Sequence, residues 1–286
     1  MRLGTFHVDG RSFAGAVTES GIIDLSRRME VTSVLAILEG GQLAAAEAIA
    51  SNTAPDIDPA DVQIALPVPD ARKILCVGVN YMNRNEEYKD GSQAPVYPSL
   101  FVRTPLSFSA HGQPVLIPRE SEQLDYEGEI VLVIGKAGRR IPQERWRDHV
   151  AGLTIMNEGS VRDWVRHGKF NVTPGKNFDR SGGLGPWIET SIRDLPLEDL
   201  RIETRVNGEL RQADTTASMA FPFARIIEYV STFTTLLPGD LIATGTPTGS
   251  GARFEPPRWL RAGDRVDVTV QGVGTLTNFV SEETIE

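Results

Sequence analysis

Hydrophobic and polar positions alternate with a period of two along most patterned segments of this chain, which is typical of short strands. The segments on both sides of Asp9-Gly10 alternate in this way, and so do those beside Asn207-Gly208. Both dipeptides suit the positive φ angles of a two-residue hairpin turn. The pattern therefore predicts a β-rich α+β fold in which tight turns connect neighbouring strands.

A period near 3.6 predicts a helix over 223–234 and two shorter helices over 31–38 and 42–50. Further strands are predicted over 74–78, 126–134 and 151–156, and a final alternating pair follows in the tail. The longest helix is expected to present one apolar face, formed by Ile226, Ile227, Val230 and Phe233.

Prolines crowd the stretch 52–72, which interrupts the patterned segments before the strand over 74–78. This stretch predicts a boundary near residue 70. A small N-terminal α/β domain would then occupy 1–70, and the main domain would occupy 71–286.

Composition excludes several classes of protein. The 286 residues are 40% hydrophobic and 23% charged, which excludes disorder as the main state. A formal net charge of -9 argues against a nucleic-acid partner. No apolar run approaches the ~20 residues that span a bilayer, and the first residues lack the apolar region of a signal peptide. We therefore expect no membrane association and a cytoplasmic location.

A single cysteine, Cys76, excludes an intrachain disulfide and a metal site built from several cysteines. Its apolar neighbours predict a buried structural thiol rather than a nucleophile.

Acidic residues at strand ends are the strongest chemical signal. Glu127 and Glu129 are two apart on a predicted strand, so their side chains project from one face with origins ~7 Å apart. Glu158 directly follows another predicted strand. Three oxygen donors with no nearby cysteine or histidine suit Mg²⁺, Mn²⁺ or Ca²⁺ rather than zinc. A shared proton, or a solvated pair at a strand end, are the alternatives for the first two carboxylates.

Two other segments suggest contacts with a substrate. The stretch 239–249 reads as a strand that enters a glycine-rich turn, where backbone N–H groups and threonine hydroxyls can receive a carboxylate. Lys176 is placed to balance the charge of the acidic residues, although a solvated loop lysine is the alternative. Phosphate-loop, serine-hydrolase and dinucleotide-binding motifs are absent from the sequence.

Taken in order, six motifs resemble the fumarylacetoacetate hydrolase family over roughly residues 72–280. They are YEGE at 126–129, SVRDW at 160–164, GKNFD at 175–179, LGPWI at 184–188, VNGELRQ at 206–212 and GDLIATGTPTGSG at 239–251.

The resemblance implies a mixed β-roll or β-sandwich catalytic domain, a homodimer, and one divalent cation that chelates a small-molecule 2-oxo acid substrate. It implies Mg²⁺ or Mn²⁺, with Ca²⁺ as a further possibility, held by Glu127, Glu129 and Glu158. Members of the family generally have aspartate at the third position, so Glu158 adds one methylene.

The family's lid commonly reads N-Y-x-x-H-x-x-E, and the same frame here spans 80–87 within a polar segment, 80–93, expected to be a mobile lid. Glu87 keeps the glutamate, but Arg84 replaces the histidine and cannot act as a base. We interpret His167 as a surface histidine, with a substitute base as the alternative. The resemblance implies catalytic roles for Glu87, Lys176 and Arg84. It implies substrate contacts by Tyr81, Arg103, Asp179, Gly245 and Thr246.

With these residues, the resemblance implies metal-dependent cleavage of a C–C bond in a β-diketo acid or related 2-oxo acid. Decarboxylation, tautomerisation and hydration on the same metal site remain open, because each uses the same stabilisation of an enolate. A member of the fold that binds a metal and ligand without turnover is the alternative from another class.

Overall fold

The computed structural model describes residues 1–84, 95–168 and 171–284. Its strands are β1 Arg2–Val8, β2 Arg11–Val17, β3 Ile22–Asp24, β4 Gln63–Ile64, β5 Ile74–Val77, β6 Leu100–Arg103, β7 Phe108–Ser109, β8 Pro114–Ile117, β9 Leu124–Asp125, β10 Gly128–Ile134, β11 Val150–Asn157, β12 Ser160–Val161, β13 Gly182–Glu189, β14 Arg201–Val206, β15 Glu209–Thr215, β16 Leu241–Ala243, β17 Arg265–Val270 and β18 Gly274–Glu282. Its α-helices are α1 Leu25–Met29, α2 Val34–Glu39, α3 Leu43–Asn52, α4 Thr173–Lys176 and α5 Phe223–Phe233.

Most of the strands form two sheets. The larger one has the order β3-β2-β1-β13-β11-β10-β16-β5-β6, and the smaller one has the order β15-β14-β17-β18-β8. Parallel pairing of β16 with β5 interrupts the otherwise antiparallel path of the large sheet. The fold is therefore mixed α+β and rich in strands, as the sequence predicts.

Strand β10 separates two apolar cores. Ile130, Leu132 and Ile134 pack in the core that contains α5 and residues of the smaller sheet. Val131 and Val133 point the other way, into the core that contains α2 and the N-terminal strands. A strand covered on both faces reads as a continuous apolar run, which explains the sequence of this segment.

Both predicted hairpins are present. Asp9 and Gly10 have φ angles of 48° and 75°, and Asn207 and Gly208 have φ angles of 52° and 80°. These angles match the turn geometry that connects β1 to β2 and β14 to β15. Cys76 is fully buried, as predicted.

Two local details differ from what the sequence suggests. Phe233 is 54% exposed, because it is the last residue of α5 and its ring packs edge-on against Tyr229 instead of entering the core. The predicted strand over 126–134 begins only at Gly128. Glu127 lies outside it, because its backbone N–H bonds the Asn157 side chain rather than a strand neighbour.

The N-terminal segment extends the large sheet, since Leu3 of β1 pairs with Ile188 of β13. Its helices share the core that reaches β10, and the boundary near residue 70 stays a prediction. Among the helices of the described ranges, none combines the length and apolar character needed to cross a bilayer.

Candidate active site

Three acidic side chains meet where β10 begins and β11 ends. The two strands are antiparallel, with Gly128 opposite Asn157, so their adjoining ends lie together. Glu127 and Glu129 flank Gly128, and Glu158 directly follows β11. The Glu158 N–H donates to the Glu127 carbonyl over 2.7 Å. All three glutamates are at most 5% exposed, so the predicted convergence of these residues is present.

Lys176 lies among these carboxylates. Its Nζ donates to Glu127, to Glu158 Oε2 at 2.7 Å and to Ser160 Oγ at 2.6 Å. Gly175 makes this position possible, because a Cβ there would lie 2.4 Å from Val165 Cγ1 and would push α4 outward. The lysine that the sequence suggested for charge balance is therefore buried and paired with two of the three glutamates.

Two arginines add positive charge behind the glutamates. Arg162 donates from Nη2 to Glu127 Oε1 and from Nε to Asp125 Oδ2, each over 2.8 Å. Arg103 donates from Nη1 to Glu158 Oε1 at 3.3 Å. The cluster thus combines four carboxylates with three cations, and its members are Asp125, Glu127, Glu129, Glu158, Arg103, Arg162 and Lys176.

Glu129 is the carboxylate of this cluster without a cation. Within the described ranges it has no salt-bridge partner, and its Oε2 accepts a hydrogen bond from the Gly245 N–H at 2.8 Å. Burial, followed by the charges of Glu158 and Glu127, raises the pKa of Glu129 well above its ordinary value. Burial also raises the pKa of Glu158, although Lys176 opposes that shift. The cluster therefore has one carboxylate more than it has cations, and the raised pKa favours the protonated form of Glu129 unless a cation replaces its proton.

This donor set fits a hard divalent cation in its chemistry, because it offers buried carboxylate oxygens, including those of Glu129, which no cation in the described ranges pairs. In the described ranges no three acidic, histidine or cysteine side chains have the geometry of a metal site. Lys176 Nζ instead joins Glu127 and Glu158. That Glu127, Glu129 and Glu158 would hold such an ion stays a prediction.

The turn after β16 brings two more predicted residues to the cluster. Gly245 contacts Glu129 through its backbone N–H, and Thr246 is 3% exposed. The Thr246 hydroxyl donates to the Gly128 carbonyl over 2.9 Å. Tyr81 is 1% exposed, and its hydroxyl has no hydrogen-bond partner among the described residues. Burial, with smaller contributions from Asp214 and Glu129, raises the pKa of Tyr81 above its usual range.

Arg103 and Asp179 lie further from the cleft. Besides Glu158, the Arg103 guanidinium bonds the Gly159 carbonyl, Ser107 and Ser181, so its donors are engaged within the protein. Asp179 is exposed and does not line the cleft. Contact of either residue with a substrate stays a prediction.

The predicted lid falls mostly outside the described residues, and Glu87 is among those not described. The backbone of Arg84 ends a short 3₁₀ helix, Met82–Arg84, but its side chain is outside the description. The start of the segment is firmly anchored, since buried Asn80 donates to the Thr244 and Phe221 carbonyls and accepts from the Phe221 N–H.

A cleft of about 730 Å³ opens over the cluster. None of its described lining residues is a histidine, and His167 instead packs against the Trp164 ring at 4.4 Å. Four basic residues face the cleft together with Glu127 and Glu158; they are Arg162, Arg166, Lys176 and Arg253. The described walls therefore favour an anionic ligand.

Several residues of the cluster were not predicted from the sequence. Asp125 accepts from the Gly251 and Ala252 N–H groups and from Arg162, and so joins three segments. Ser160 lies between Lys176 and Glu127. Arg162 and Ser160 stand inside the SVRDW motif, so their closeness to Glu158 in sequence was an available signal.

Comparison with known protein families identifies the domain to which this cluster belongs. The family model for the fumarylacetoacetate (FAA) hydrolase C-terminal domain matches residues 73–281, which include every residue of the cluster. The chain belongs to the fumarylacetoacetate hydrolase family.

Individual members of this family carry different activities. The oxaloacetate tautomerase YisK of Bacillus subtilis is 42% identical over 225 residues, which cover 77% of this chain and 73% of that protein. The fumarylacetoacetate hydrolase from Exiguobacterium antarcticum has a TM-score of 0.83 at 32% identity, with 99% and 100% coverage. The maleylpyruvate hydrolase from Sphingobium sp. SYK-6 has a TM-score of 0.81 at 27% identity, with the same coverage. Members of the fumarylacetoacetate hydrolase family are thus enzymes, both tautomerases and hydrolases.

Proposed function

We propose that this protein is a divalent-metal-dependent enol–keto tautomerase of a 2-oxo dicarboxylic acid of the oxaloacetate class. The observation that carries the proposal is the buried cluster in which Lys176 pairs with Glu127 and Glu158 on the floor of a cleft without histidine in its described lining. A relative named as an oxaloacetate tautomerase supports the same reaction.

Tautomerisation moves one proton from the enol oxygen to the neighbouring carbon, so it needs no water and no co-reactant. A bound divalent cation would supply electrostatic stabilisation of the charge on the 2-oxo oxygen. Lys176 is the group that we assign to the proton transfer, because its ammonium lies in the cleft and donates to Glu127 and Glu158. Burial opposes its charge, but both glutamates outweigh burial and raise the pKa of Lys176, which keeps it protonated.

Hydrolysis of a C–C bond requires one more component, a base that activates water. The chain has four histidines, and none lies in the segment 79–94. His7 is in β1, His111 accepts from the Thr277 N–H, and His149 contacts the Lys136 carbonyl. A hydrolytic route would therefore have to use a carboxylate such as Glu87 as its base.

The charge of the cleft supports a substrate with two carboxylates. Arg166 is exposed at the end of a 3₁₀ helix, Trp164–Arg166, and lines the cleft with Arg253. A 2-oxo acid group at the glutamate cluster would leave a second carboxylate to meet these guanidinium groups, which suit carboxylates geometrically.

Loss of the enol absorbance of freshly dissolved enol-oxaloacetate tests the proposal. We expect the protein with Mn²⁺ to accelerate the conversion to the keto form and a chelator to remove the acceleration. An unchanged rate of ketonisation at micromolar protein would refute the tautomerase assignment.

Acylpyruvate hydrolysis is the second candidate, favoured by the similarity to the fumarylacetoacetate hydrolase at a TM-score of 0.83. It predicts release of pyruvate and a carboxylic acid, which proton NMR detects in the same samples. Pyruvate formation without acceleration of ketonisation would select this second activity. The homodimer and the cytoplasmic location stay predictions.

A further inference from the structure

Gln212 connects the smaller sheet to the carboxylate cluster. It belongs to β15, is 1% exposed, and reaches across to the start of β10 in the other sheet. Its Oε1 accepts from the Gly128 N–H at 2.9 Å. Its Nε2 donates to Thr246 Oγ1 at 2.9 Å and to the Pro247 carbonyl at 2.8 Å. One buried amide thus uses its acceptor and both of its protons at this junction.

These bonds also fix the direction of the Thr246 hydroxyl. Because Thr246 Oγ1 accepts a proton from Gln212, its own proton is free to donate to the Gly128 carbonyl, 2.9 Å away. Gly128 is therefore held at its N–H by Gln212 and at its carbonyl by Thr246. These two groups belong to the two peptide units that join Glu127 to Glu129.

Gly128 has no side chain that would hold it in place. A Cβ at this position would lie 2.1 Å from Thr204 Oγ1, so the close approach of β14 requires glycine. The same turn that receives Gln212 also supplies the Gly245 N–H to Glu129. The bonds of Gln212 therefore connect the backbone between the two glutamates with the turn that contacts one of them.

We propose that Gln212 is a positioning residue that sets the separation of Glu127 and Glu129 and holds Glu129 against the Gly245 turn. The inference rests on the proposed function only in treating these two glutamates as cation ligands. It assigns Gln212 no contact with substrate.

Amide hydrogen exchange measured by NMR tests the positioning directly, without any metal. In Gln212→Met, which keeps the length of the side chain but removes its hydrogen bonds, we expect exchange of the Gly128 and Gly245 amides at least tenfold faster than in the parent. Thr246→Val, which changes little volume, provides a second variant and should accelerate Gly245 exchange.

Asn278→Met is the matched control. Asn278 is also 1% exposed and donates two hydrogen bonds, to the Ala110 and Gln113 carbonyls at 2.8 Å each, but from β18 and away from the glutamates. We expect it to leave Gly128 and Gly245 exchange as in the parent. Equal acceleration in Asn278→Met would overturn the proposal, because the effect would then be general destabilisation.

Mn²⁺ affinity, measured by calorimetry on the same proteins, supplies the functional readout. Gln212→Met should bind Mn²⁺ at least tenfold more weakly than the parent, and Asn278→Met within twofold of it. Unchanged amide exchange at Gly128 and Gly245 in Gln212→Met overturns the positioning role, whatever the Mn²⁺ affinity of that variant is. A parent that binds no Mn²⁺ but shows the predicted exchange overturns the proposed function and leaves the positioning role supported.

Discussion

Two acidic clusters in this molecule, one partly exposed and one buried, balance their charge in opposite ways. In the N-terminal segment, fully buried Asp24 accepts a hydrogen bond from Arg11 at 2.6 Å. The carboxylate of Asp56 accepts hydrogen bonds from both Nη atoms of Arg28. Arg27 adds a third guanidinium 3.4 Å from Asp24. The hydrogen bond from Arg28 lowers the pKa of Asp56, so its charged form is favoured in the fold.

At the cleft the balance is reversed. Burial and neighbouring glutamates raise the pKa of Glu129, which has no salt-bridge partner in the described ranges. The N-terminal cluster connects β3 and α1 and satisfies its own charges, whereas the cleft cluster has one carboxylate more than it has cations. The contrast separates carboxylates that stabilise the fold from those available to bind a cation.

The largest expected effect comes from removing a cation of the cleft cluster. Lys176→Met leaves Glu127 and Glu158 without their shared donor and removes the proton carrier. We expect kcat for enol-oxaloacetate ketonisation to fall roughly 10²–10⁴-fold, as for the loss of a general acid or base. Steady-state kinetics at saturating Mn²⁺ measures the change.

Lys73→Met is the control for that substitution. Lys73 forms a salt bridge of 2.7 Å with buried Asp240, outside the cleft, so its loss should leave kcat within twofold of the parent. A comparable fall in both variants would mean that Lys176 has no specific part in proton transfer.

A smaller effect is expected at the wall of the cleft. Arg166→Ala should raise KM for a 2-oxo dicarboxylate about tenfold, because it removes a charge-assisted contact of about 1.4 kcal/mol. KM for a 2-oxo monocarboxylate should not change. Equal KM increases for both substrates would show that Arg166 does not select the second carboxylate. Arg225→Ala, on α5, is the matched control and should leave both values unchanged.

The smallest effect concerns stability in the presence of chelator. A raised pKa means that folded Glu129 holds its proton more strongly than the unfolded chain does, so its ionisation above pH 4.5 costs stability. Glu129→Gln should therefore raise Tm at pH 7, because the glutamine cannot ionise. The gain should vanish as the pH falls to about 4.5, as scanning calorimetry over this range would show.

Asp56→Asn sharpens the same comparison, because its expected effect on Tm at pH 7 has the opposite sign to that of Glu129→Gln. The pKa of Asp56 is lowered from 3.8, so its stabilisation is present above that value and is lost on acidification. We expect this variant to lower Tm at pH 7 and to approach the parent in acid. A shift of the same sign in both variants would remove the distinction between the two clusters.

Local signals made much of the fold predictable from the sequence. Asn207-Gly208 determines its own turn, and the chain positions of Glu129 and Glu158 at strand ends were enough to predict their convergence. Contacts between distant segments left no comparable signal. The hydrogen bond between Gln212 and Gly128 joins residues 84 positions apart and depends on how the two sheets pack. Phe233 lies outside the core because α5 ends at this residue.

The central claim is that the unpaired carboxyl group of the cleft cluster, Glu129, helps to bind a divalent cation. Calorimetric titration of the metal-free protein with Mn²⁺ tests it most directly, beside Glu129→Gln and Asp24→Asn. We predict one Mn²⁺ per chain for the parent and for Asp24→Asn, and affinity at least tenfold weaker for Glu129→Gln. Parent-like affinity in Glu129→Gln, or a parent that binds no Mn²⁺, would contradict the account.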